Sequence, residues 1–128
     1  MKQYETGAIR DTGGKGRMDL LPWSAIMRVS KHMEKGSEEH GERNWEKGLP
    51  MHCFLDSAFR HMSKYMEGWV DEDHLCAAAW NLLCAMWTEE HIPEMQDIPT
   101  RFRDTHMGDG AFERTPVTYA DVHDIVEE

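Results

Sequence analysis

Apolar residues recur at helical intervals through the first two-thirds of the chain. Ile26, Val29, Met33 and Ser37 are spaced three and four apart and share one helix face. They predict a helix over 23–40. Pro22 suits its first turn, Gly36 interrupts the pattern and Gly41 ends it. Leu55, Phe59, Met62 and Met66 give a second helix, over 51–68, one apolar face, with Gly68 as the stop signal. Asp71, Glu72 and Asp73 suit a helix N-terminus, where the dipole favours negative charge, and open a third helix to about residue 90. That helix is apolar nearly all round, so it is expected at the centre. No alternating run reads as a strand. The fold class expected is all-α: a small helical bundle of three main helices plus a C-terminal helix.

Two regions lie outside this pattern. Residues 1–16 read as an irregular arm carrying Gly13-Gly14-Lys15-Gly16. Beyond 92 the periodicity fades, so the division expected is 1–92 as the helical domain with its arm and 93–128 as an extended tail. Thr118 is expected to cap a short helix there, running to about 127.

Charge narrows the partners. Against 24 acidic residues stand 14 lysines and arginines, a net charge of −10. A surface of that sign is a poor match for a nucleic-acid backbone and a better one for divalent cations. The three cysteines form no Cys-x-x-Cys pair. Cys76 and Cys84 on one helix would lie about 12 Å apart along its axis, too far for a disulfide. They read as core residues in a reducing compartment. Charged Lys2, Glu5, Arg10 and Asp11 rule out a signal-peptide pattern, and the longest uncharged run, 75–88, is too short to span a bilayer. A cytoplasmic protein, with no membrane partner, is expected.

Several groups could carry chemistry. The segment between the first two helices holds Arg43, Asn44, Trp45 and Lys47, two cations, an amide and an aromatic ring in five residues. Such groups can hold a phosphorylated base. Glu34 and Glu38 are four apart on one helix face, where a divalent cation would relieve their repulsion; a solvated acidic face would look the same. Asp56 and Arg60 are also four apart and read as a simple salt bridge; alternatively Arg60 and the adjacent His61 present two donors to a phosphate. On the third helix His74 and Asn81, seven apart, share a stripe with Ala78 and Ala85. That stripe is either a His–Asn core network or the wall of a pocket.

Taken in order, Arg17-Met-Asp-Leu-Leu-Pro22, Arg43-Asn-Trp-Glu-Lys-Gly48, Asp56-Ser-Ala-Phe-Arg-His61, Glu67-Gly68, His74 and Trp80-Asn-Leu-Leu83 form a known pattern. Over 17–87 the chain resembles the phage-associated dATP/dGTP diphosphohydrolase N-terminal family, relatives of the all-α MazG-type nucleoside triphosphate pyrophosphohydrolases. The resemblance implies a MazG-like bundle, usually a homo-oligomer. It implies a Mg²⁺- or Mn²⁺-dependent site that splits a purine (deoxy)nucleoside triphosphate into monophosphate and pyrophosphate. It makes Glu34, Glu38 and His61 the catalytic candidates, and Glu34, Glu38, Asp56, Asp73 and His74 the metal ligands. Lys15, Arg17, Lys47, Arg60 and His61 would face phosphate; Asn44, Trp45 and Asn81 would face base or sugar. The chain departs from that pattern in a looser Glu34-x-x-x-Glu38 and in Ala77, where a second histidine often stands. A binding protein that sequesters a nucleotide without cutting it is the alternative.

Overall fold

Three helices organise the computed structural model, which describes residues 1–102: α1 (Trp23–His40), α2 (Met51–Met66) and α3 (His74–His91). The expected terminal helix after Thr118 lies outside the described residues. α1 runs unbroken through Gly36, because a glycine within a helix costs only about 1 kcal/mol. It ends at Gly41, whose φ of 87° few other residues tolerate and whose N–H donates to the Ser37 carbonyl. α3 begins at His74 with Asp73 as its cap; the Asp73 carboxylate accepts the Cys76 N–H at 3.1 Å. A two-residue antiparallel pair, β1 (Lys2–Gln3) with β2 (Ile9–Arg10), closes the arm on itself, in place of a wholly irregular segment.

The core forms where α2 meets α3. Met51 and Phe54 on α2 pack with Cys84 and Ala85 on α3, and Trp45, Trp80 and Ile98 close over them. The buried face of α2 is Met51, Phe54 and Ala58. This corrects the expected face: Leu55 and Met62 are half-buried, while Phe59 and Met66 are 66% and 83% exposed. The helix has turned because small Ala58 allows α3, with its own Ala77, Ala78 and Ala85, to approach closely. α3 is central, as expected, packing mainly on α2 and less on α1. Its His74–Ala78–Asn81–Ala85 stripe is buried. Leu75, Leu82 and Met86 on another side are exposed, since two neighbours cannot cover its whole perimeter.

Residues 93–102 are not extended. Pro93 and Pro99 each start a 3-10 turn, and Met95 comes to rest beside Gly48. All three cysteines are free; Cys76 and Cys84 are buried, and burial pushes the Cys84 thiol up to about 11. Among the described residues no helix is long and apolar enough to cross a membrane.

Phe54 is 1% exposed at the centre of this packing. Phe54→Ala is expected to destabilise the fold by about 3–5 kcal/mol, read as a lower urea midpoint at unchanged slope.

Candidate functional site

α1 has no fully buried residue, and the space it leaves against the α2–α3 pair is a cavity of about 720 Å³. α1, the segment after it, the middle of α2 and the start of α3 form its walls. Its size suits a small-molecule ligand.

One wall is cationic. Arg28, Lys31 and Lys35 follow one another at three and four residues along α1, and all line the cavity, with Arg43 at its end. Lys31, Lys35 and Arg43 make no ion pair among the described residues. Glu39, Glu72 and Asp73 are the acidic lining groups. Asp73 is already committed: Arg28 donates two hydrogen bonds to its carboxylate, at 2.7 and 2.5 Å. This fork holds the Asp73 carboxyl below the usual range and raises Arg28. In a protein of net charge −10, the cavity lining carries four lysines and arginines against three carboxylates.

The opposite wall is aromatic and amidic. Trp45 and Asn44 reach it from a 3-10 turn over Asn44–Lys47, opened by Arg43 in the left-handed region at φ 54°, uncommon outside glycine. Trp45 is braced edge-on against Trp87, ring centroids 5.0 Å apart. Trp80 lies beside His32, centroids 6.0 Å apart. Asn81 is 5% exposed; its side-chain N–H donates to the Ala77 carbonyl at 2.9 Å, leaving its oxygen as an acceptor.

Between these walls two imidazoles meet. His61 Nδ1 and His74 Nδ1 are 2.9 Å apart, and His74 Nε2 is 2.7 Å from an Asp71 oxygen. A carboxylate only accepts, so His74 carries its proton on Nε2 and presents a bare Nδ1. That hydrogen bond lowers the Asp71 pKa. Burial lowers the His61 pKa, favouring its neutral form. Glu72 stands 3.6 Å from His61 Nδ1.

The structure therefore brings Asn44, Trp45, His61, Asp73 and Asn81 to one cavity and sets His74 against His61. It does not bring the others. Glu34 and Glu38 are exposed and do not line the cavity; nor does Lys47. Lys15 donates to the Asp11 carbonyl, Arg17 pairs with Asp19, and Arg60 pairs with Asp56, all away from the lining. Sequence reasoning missed Arg28, Lys31, Lys35 and Glu72. The repeat of three cations on one face of α1 was the available signal.

Donors for a metal ion converge at one place among the described residues: His61, Glu72 and His74 offer ligand atoms within 4.8 Å of one another. Two nitrogens and one carboxylate suit a transition ion and do not suit Mg²⁺, which favours oxygen.

The three helices and their cavity define the class: a small all-α protein. The chain belongs to the dATP/dGTP diphosphohydrolase, N-terminal family, whose model matches residues 5–98. No curated protein and no solved structure gives a significant match.

The Arg28–Asp73 fork has a pH signature. Asp73 has a lowered folded-state pKa, so its contribution is present above the unfolded value near 4 and is lost as pH falls through the folded one. Asp73→Asn keeps a good cap but removes the charge. It should be less stable than the parent at pH 7 by under about 1 kcal/mol, because the pair is partly exposed, and the gap between the two urea midpoints should narrow as pH falls below the usual carboxylate value.

Proposed function

We propose that the protein is a metal-dependent (deoxy)nucleoside triphosphate pyrophosphohydrolase. The observation that carries this reading is one cavity lined by the cations Lys31, Lys35 and Arg43, unpaired among the described residues, together with Trp45, Trp80, Asn44 and Asn81. These cations offer charge-assisted hydrogen bonds to a polyphosphate. Trp45, Trp80, Asn44 and Asn81 offer stacking faces and amides to a base. The family name favours dATP and dGTP as substrates.

In the proposed reaction water attacks the α-phosphorus. A water oxygen–phosphorus bond forms and the bond from that phosphorus to the bridging oxygen breaks, so pyrophosphate leaves and a nucleoside monophosphate remains. A divalent ion supplies charge neutralisation and a more acidic water when bound. His61 stands on the cavity wall with its pKa lowered by burial, and serves there either as the base that takes the water's proton or as a ligand of the ion. Lys31 and Lys35 hold the leaving phosphates, where negative charge gathers. The position of Glu34 and Glu38 outside the lining favours a second reading, in which the cavity holds the nucleotide without cutting it.

The proposal includes a homo-oligomer. Leu75, Leu82 and Met86 recur at seven and four residues along α3, leaving an apolar stripe on the surface. A second copy would cover it.

Incubation with dATP or dGTP and a divalent ion should give monophosphate and pyrophosphate by chromatography. Lys31→Ala should weaken nucleotide affinity about tenfold or more. Tight binding with intact nucleotide recovered would select the second reading; neither binding nor product would reject both. Light scattering should show a multiple of the 14.9 kDa chain mass, collapsing to that mass in Leu82→Glu.

A further inference from the structure

We infer that His61, Glu72 and His74 form a binding site for a six-coordinate first-row transition-metal ion such as Mn²⁺, Fe²⁺, Co²⁺ or Ni²⁺, and that this site excludes Mg²⁺. The two Nδ1 atoms already lie 2.9 Å apart. With metal–nitrogen bonds of about 2.1 Å, two ligands at a right angle stand about 3.0 Å apart, whereas a tetrahedral pair stands about 3.4 Å apart. The observed separation matches that of neighbouring ligands on an octahedral ion. An ion bound to both nitrogens would lie about 1.5 Å off the line between them, so on binding the rings turn to aim their lone pairs at it and Glu72 moves inward.

The surroundings are those of a ligating histidine. His74 is fully enclosed, and its outer nitrogen is held at 2.7 Å by Asp71, which fixes the inner nitrogen as a lone pair aimed at His61. Glu72 completes two nitrogens and one carboxylate within 4.8 Å. His61 and Glu72 also line the cavity, so the remaining coordination positions open towards it. Two histidines and one carboxylate leaving open positions are a donor set for a transition ion, and its nitrogens bind Mg²⁺ poorly.

The assignment stands apart from hydrolysis, so its test uses the full chain and no nucleotide. Cobalt is added to metal-free protein and read by its visible absorption. The expected result is one equivalent bound, undisturbed by a large excess of Mg²⁺. Affinity should fall at least tenfold in His61→Ala and in Glu72→Gln, and about 10–100-fold in Asp71→Asn, which acts only by orienting His74. His74→Ala removes a buried side chain, so the two partly exposed ligands carry the decision. The proposal is overturned if cobalt does not bind, if Mg²⁺ displaces it at equal concentration, or if His61→Ala and Glu72→Gln bind like the parent. Loss of the spectrum in Glu34→Gln or Glu38→Gln alone would equally overturn it. A protein that binds cobalt as described but leaves nucleotides intact would refute the enzymatic reading and not this one.

Discussion

The Asp73 carboxylate joins the parts of this molecule. One of its oxygens caps α3 through the Cys76 N–H, and both receive the Arg28 fork from α1. The same group thus fixes where the central helix begins and where the first helix crosses it. Cys76 adds a weaker contact at that crossing, its thiol 3.6 Å from the Arg28 carbonyl. Away from this joint α1 buries no residue completely, and the cavity occupies the gap. The neighbouring residues Asp71, Glu72 and His74 are placed by the same cap, so the metal-ligand cluster and the cationic wall share one anchor.

Charge is arranged so that local pairs silence some cations and leave others available. Arg60 is spent on Asp56 and Arg17 on Asp19, each within its own turn of chain. Lys31, Lys35 and Arg43 face the cavity without such a carboxylate among the described residues. The cavity of a strongly acidic protein thus carries exposed cations as well as carboxylates.

Much of the fold was legible in the sequence. α1 runs over the residues that its three-and-four spacing marks, α2 begins where its apolar spacing places it, and α3 begins directly after the acidic residues expected to open it. The buried face of α2 was not legible, because Met51–Phe54–Ala58 and Leu55–Phe59–Met62–Met66 are both apolar at helical spacing. Sequence periodicity cannot choose between two such faces; the small residues of α3 do. The site was half legible. Trp45, Asn44 and Asn81 were found because amides and indoles in those places are unusual, and His74 because a polar group on an apolar helix needs a partner. Arg28, Lys31 and Lys35 escaped because cations on a helix's polar face ordinarily face water. The 3-10 turns after Pro93 escaped because they lack periodicity.

The shallow seating of α1 makes the molecule unequal in local stability. Amide hydrogens on α2 and α3 are shielded by the shared core, whereas α1 can detach by releasing one ion-pair joint and a half-buried stripe. The wall that carries the cations is therefore the wall with the lowest opening free energy. A ligand spanning α1 and α3 would add a second joint at the far side of the gap, and slower hydrogen exchange along α1 would record its arrival.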